Sequence, residues 1–130
     1  MQDHQYRLRF RSVWVSMGWM IALVIVFLSL TPRPIPLPGE QGDKLGHALA
    51  YAVLMLWFAQ VYLYGRQRVA VAALCVALGI ALEFAQLLTE TRTFSVADMG
   101  ADALGVGLGW LAAPPRGLAF LRRLEDAGAG

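Results

Sequence analysis

Residues 13 to 30 read VWVSMGWMIALVIVFLSL, an unbroken run from Val13 to Leu30 without one ionisable side chain. As an α-helix it would rise about 27 Å, close to the roughly 30 Å hydrocarbon core of a bilayer. No polar stripe recurs along it at helical spacing, so it lacks the outer face that a helix of a soluble bundle needs. Arg7, Arg9 and Arg11 precede it as the basic segment of a secretory signal would. The run is long for a signal, and Leu28-Ser29-Leu30 is not a small-x-small cleavage site, so the stretch reads as an uncleaved first membrane helix.

Three more runs follow. In Leu45 to Tyr64 the only group that ionises near neutrality is His47, and Trp57, Tyr62 and Tyr64 gather at the far end as an interfacial aromatic belt would. Val69 to Leu88 is interrupted by Glu83, and Val96 to Ala113 carries Asp98 and Asp102 before Pro114-Pro115 ends it. These runs are about twice the length of a membrane β-strand, and lipid leaves only helices or closed barrels to satisfy the backbone. The chain is therefore expected to be all-α, an integral membrane four-helix bundle forming a single domain over residues 1–130, with spans at about 13–30, 45–64, 69–88 and 96–113. Its 58% hydrophobic and 15% charged residues disfavour a disordered or nucleic-acid-binding chain, since soluble domains average about a quarter charged. Cys75, the single cysteine, excludes an intrachain disulfide and a Cys-based zinc site, and between Leu74 and Val76 it reads as a packing residue.

Drawn this way, the spans sort the basic residues. Arg7, Arg9, Arg11, Arg66, Arg68, Arg116, Arg122 and Arg123 fall on one side, and only Arg33, Lys44 and Arg92 on the other. The positive-inside rule puts both termini in the cytoplasm of a multi-pass inner-membrane protein. The outer loops are then Thr31 to Lys44, where Pro32, Pro34, Pro36 and Pro38 enforce an extended strap, and Thr89 to Ser95, which brings the third and fourth helices side by side and offers Thr93 or Ser95 as a cap. The tail around Leu118, Phe120, Leu121 and Leu124, interleaved with Arg122 and Arg123, suits either a short amphipathic helix on the inner leaflet or a frayed end.

Ionisable groups inside a bilayer cost several kcal/mol near its centre, so their placement is informative. His47, Glu83, Asp98 and Asp102 all fall towards the outer ends of their helices. Asp43, His47 and Tyr51 share one stripe, and Glu83 and Gln86 share another. Asp98, Asp102, Gly105 and Gly109 place two carboxylates above two glycines on one face, which must point inward and close against a neighbouring helix, in the same protomer or in a second one. The outer side holds six acids, Glu40, Asp43, Glu83, Glu90, Asp98 and Asp102, against three bases, so salt bridges alone cannot neutralise it. Two readings stand at this point: a polar pocket with His47 as acid, base or ligand, or polar residues that fix helix register. No metal or cofactor is expected, since no two-histidine motif exists and His4 lies on the opposite side. Neither Ser29 nor Ser95 stands in a nucleophile elbow.

Asp43-Lys44-Leu45-Gly46-His47, Glu83-Phe84-Ala85-Gln86, the Arg92 to Asp98 spacing, and Asp98 to Gly105 resemble the VanZ-like family, with its DKxxH motif, ExxQ, R-x-x-x-x-x-D loop and D-x-x-x-N-x-x-G helix start. The resemblance covers about Leu28 to Ala113 and departs at Asp102, where the family more often has asparagine. It implies a small bacterial inner-membrane protein, named after a member associated with reduced susceptibility to the glycopeptide teicoplanin, and supplies no established reaction. It also implies that Asp43, Lys44, His47, Tyr51, Glu83, Gln86, Arg92, Asp98 and Asp102 are the functional positions.

Two functions follow as expectations. One is an envelope protein whose outward pocket binds a lipid or cell-wall-linked headgroup, with Lys44 and Arg92 on its phosphate or carboxylate, thereby affecting glycopeptide susceptibility. The other is an intramembrane enzyme acting on a phospholipid or isoprenoid-linked headgroup, with His47 as general acid or base and Glu83 or Asp98 orienting it. Membrane lipids are the expected partners, nucleic acid is not, and the Gly105/Gly109 seam offers a route to an oligomer. Transport is disfavoured, because the inner halves of the helices lack polar residues.

Overall fold

A computed structural model of the chain describes residues 8–30, 42–62, 65–86, 88, 96–113 and 119–129. The protein is all-α, with α1 at Arg11–Leu30, α2 at Gly42–Val61, α3 at Gly65–Gln86, α4 at Val96–Ala112 and α5 at Phe120–Ala129. The proline strap and the Thr89 to Ser95 loop, including Thr93 and Ser95 as caps, lie outside the described residues.

Two helical stretches, Arg11–Leu30 and Gly65–Ala85, are long and apolar enough to cross a membrane, while the apolar part of α2, Leu45–Val61, is shorter. Only 17% of the first and 28% of the second is buried within the protein. Trp19, Leu23 and Phe27 on α1 and Val69 and Leu74 on α3 are largely uncovered. Water would not tolerate so much continuous apolar surface, whereas lipid tails are its natural solvent. Four spans are expected from the sequence, the fourth the weakest because it carries Asp98 and Asp102. α4 is 17 residues long and carries Asp98 and Asp102 in its first two turns.

The most extensive contact is between α2 and α4. A Cβ on Gly105 would overlap the backbone carbonyl of Ala48, and one on Gly109 would overlap that of Ala52. The partners advance by four residues on both helices, so α2 and α4 run parallel with their backbones nearly touching. The glycine seam is thus closed within the chain against α2, and a second copy could use these two glycines only by displacing it. α3 runs antiparallel to α4, with Gly79 against the Asp102 side chain and Arg68 over the Trp110 ring. α1 is antiparallel to α2 and lays Gly18 under the Phe58 ring. Tyr51, Leu54, Met55, Phe58 and Ala59 of α2 are among the most buried residues, which makes α2 the central helix.

The expected spans differ most between α2 and α3. Arg66 and Arg68 were assigned to a connecting loop, but α3 already begins at Gly65, whose φ of +37° lets the chain turn where a side chain would be strained. Arg68 is 4% exposed; its Nε donates to the Tyr62 carbonyl (3.1 Å) and its Nη2 to the Ala59 carbonyl (2.7 Å). A helix end leaves its last carbonyls without partners, and this guanidinium supplies them for α2. That is why a charged residue belongs inside the helix here.

The tail forms α5 and packs back on the protein: Leu121 is fully buried and the Phe120 ring meets Trp57 at 5.6 Å. Glu125 accepts from the Arg9 and Phe10 N–H groups (2.7 Å each) and from the Trp14 indole (2.9 Å). α1 has no acidic residue in its own first turn, so a carboxylate from the other end of the chain caps it and sits at the positive end of its dipole.

Candidate functional site

The site is built from residues one helical turn apart on three neighbouring helices. α2 contributes His47 and Tyr51, α3 contributes Gly79 and Glu83, and α4 contributes Asp98 and Asp102. Asp98, Asp102, Gly105 and Gly109 are all buried, so the two carboxylates and the two glycines do share an inward face.

His47 Nδ1 lies 2.8 Å from Asp102 Oδ1, a hydrogen bond, and its Nε2 lies 3.7 Å from Asp98 Oδ2. The imidazole is thus held edge-on between two carboxylates of one helix. The Asp102 side chain is 3% exposed, Asp98 11% and His47 15%, so the open side of the cluster lies at His47 and Asp98. Glu83 is 1% exposed and Tyr51 2%. Glu83 stands one turn from Gly79, which lies against Asp102, so its stripe on α3 faces the cluster. Gly79 leaves room for Asp102, since a Cβ there would come within 2.7 Å of the carboxylate oxygen and displace it.

Of the nine residues singled out in the sequence, the structure gathers His47, Tyr51, Glu83, Asp98 and Asp102. Asp43 and Lys44 fall in the first turn of α2 and Gln86 in the last turn of α3, with side chains outside the described residues, as is Arg92 entirely. Gly79 was not anticipated. The signal available was its spacing of one turn from Glu83, which places a residue without a side chain on the same stripe.

The described ionisable groups of the site are three carboxylates, one imidazole and the Tyr51 phenol. Such a set can accept hydrogen bonds from hydroxyl or ammonium groups and can move a proton at His47. Among the described residues no three His, Cys, Asp or Glu side chains are placed to hold a metal ion.

A family model described as VanZ/LLP1 matches residues 4–120. The chain belongs to the VanZ/LLP1 family. No curated protein and no solved structure matches the chain. Membership of VanZ/LLP1, a family of small bacterial proteins, together with two helices able to cross a bilayer, places this protein in a membrane. In this VanZ/LLP1 chain the carboxylate at Asp102 is the one that fixes the histidine ring, with Oδ1 on Nδ1.

Proposed function

We propose that this VanZ/LLP1 protein crosses the inner membrane four times with both termini in the cytoplasm, and that the histidine cluster binds the headgroup of a lipid or cell-wall-linked molecule at the outer face. The observation that carries this reading is His47 suspended between Asp98 and Asp102 on α4, with the buried Glu83 on α3 alongside. Charges at this depth are costly, and two carboxylates on one imidazole, with a third buried on the neighbouring helix, are a costly way to fix register alone. The carboxylates favour the hydroxyl or ammonium donors of a headgroup, and Lys44 and Arg92 are the expected partners of its phosphate. The bias of eight arginines to one side of the spans supports the orientation. A role in glycopeptide susceptibility follows if the bound molecule is one that such agents must reach.

One observation favours the enzymatic alternative. The 2.8 Å contact to Asp102 orients the His47 ring and leaves Nε2 on the more open side near Asp98, the arrangement of a general base backed by a carboxylate. Native mass spectrometry of the protein in mild detergent tests both readings against His47→Ala and Glu83→Gln. Retention of a headgroup-bearing molecule by the unaltered protein and its loss in both variants supports binding, and appearance of a processed product only with the unaltered protein supports catalysis. Identical spectra, with variants of much lower thermal midpoint, would make the cluster structural.

A further inference from the structure

α1, α2 and α3 enclose an open groove of about 470 Å³ that runs from Tyr62 to Leu54 along α2 and from Val71 to Ala81 along α3. Trp19, Leu54, Phe58, Tyr62, Leu74 and Ala81 are among its walls, and apart from the Cys75 thiol every lining side chain is aliphatic or aromatic. It extends along α3 from Val71 to Ala81, about 15 Å at 1.5 Å per residue, which is half of the roughly 30 Å hydrocarbon core. That is the depth of one leaflet and so the length of one lipid chain.

The end of the groove at Tyr62 is not apolar beyond the ring. The Arg11 guanidinium sits 5.1 Å from the Tyr62 ring centroid, at the first residue of α1. Among the described residues no carboxylate pairs with Arg11. Arg68, also at this end, is occupied with the carbonyls of α2. A hydrocarbon slot one leaflet deep, ending at an exposed cation at headgroup level, is complementary to one class of molecule.

We propose that this groove binds an anionic phospholipid, with an acyl chain lying along Leu74 and Phe58 and the phosphate at Arg11. A zwitterionic lipid offers the same chain but places an ammonium beside the guanidinium, so the arginine sets a preference for net negative charge. The end of the groove that takes the phosphate is separate from the histidine cluster. His47 lies fifteen residues up α2 from Tyr62, about 22 Å along the helix.

The test uses the full chain in mild detergent, exchanged against an equimolar mixture of phosphatidylglycerol and phosphatidylcholine with identical acyl chains and read by native mass spectrometry. One interfacial arginine is worth about a fivefold preference for phosphatidylglycerol. Arg11→Gln should abolish that preference while lipid still binds, and Arg11→Lys should keep it. Ala77→Trp combined with Ala81→Trp, which fills the groove from exposed positions on α3, should reduce retention of both lipids. His47→Ala should leave the Arg11-dependent preference for phosphatidylglycerol in place, which separates this site from the headgroup site. Equal retention of the two lipids by the unaltered protein, a preference that survives Arg11→Gln, or a lipid-free dimer in place of the lipid-bound species would overturn the proposal. If the double tryptophan variant fails to fold, the Arg11 variants alone decide.

Discussion

Gly105→Ala adds a single methyl group at the tightest point of the α2–α4 seam. That methyl would lie on the Ala48 carbonyl oxygen and within 3.0 Å of the Ala48 carbonyl carbon and Cα, all of them backbone atoms. No flexible side chain can move aside, so α2 must back away from α4 by about 1 Å to reach ordinary contact distance. Forced overpacking of this kind costs about 1–3 kcal/mol. The displacement also acts one turn from the 2.8 Å bond between His47 and Asp102, and a 1 Å separation there takes the pair beyond hydrogen-bonding distance. Gly107→Ala and Gly100→Ala are the controls: a Cβ at either meets nothing within 4 Å, and each should be neutral or gain up to about 1 kcal/mol from helix propensity. Denaturation midpoints in mixed micelles measure the stability difference, and the nitrogen resonances of His47 report the bond. If Gly105→Ala matched Gly107→Ala in both readouts, the parallel seam would not be what positions the site.

Other consequences can be checked in the same preparation. Arg68→Ala removes the donors to the Ala59 and Tyr62 carbonyls and should cost about 1.5–3 kcal/mol; lysine should recover only part, since an ammonium lacks the planar fork. Asp102→Asn keeps an acceptor for the His47 ring and should preserve the Nδ1–H signal, whereas Asp102→Ala should lose it. Burial by itself would raise the Glu125 carboxyl, but the hydrogen bonds from Phe10, Trp14 and Arg9 outweigh it and hold the group below its ordinary value of 4.5. A lowered folded-state value means the α1 cap is at full strength above pH 4.5 and is lost only as pH falls through that lower value, seen as a change in Trp14 fluorescence that Glu125→Gln shows at every pH. That variant should weaken the docking of α5 by about 1 kcal/mol, since the pair is partly exposed.

The helices and the inward face of α4 were legible because period and spacing are local properties. His47 with Tyr51, and Asp98 with Asp102 and Gly105, each lie within a few turns of one helix, and only one face of α4 carries both carboxylates and glycines. What spacing could not supply was the partner across the seam. The glycines permit any backbone to approach, and only the folded chain shows Ala48 and Ala52 filling the space. Arg68 was misread as a loop cation because hydropathy treats every arginine as a cost, while this one is matched to carbonyls that a helix end leaves unpaired. Glu125 carried no signal at all, since its partners Arg9 and Phe10 lie more than a hundred residues earlier. Gly79 could have been found, by asking what lies one turn below Glu83.

The carboxylate that completes the start of α1 bears on the order of synthesis. A chain emerges from its N-terminus, so α1 enters the bilayer while the Arg9 and Phe10 N–H groups still face water and have no protein acceptor. They acquire one only after α2, α3 and α4 have been made and α5 has folded back to them. The first helix is then locked by an acidic residue translated more than a hundred residues later, and a chain from which α5 has not yet emerged, with that turn still uncapped, differs locally from one in which α5 has folded back.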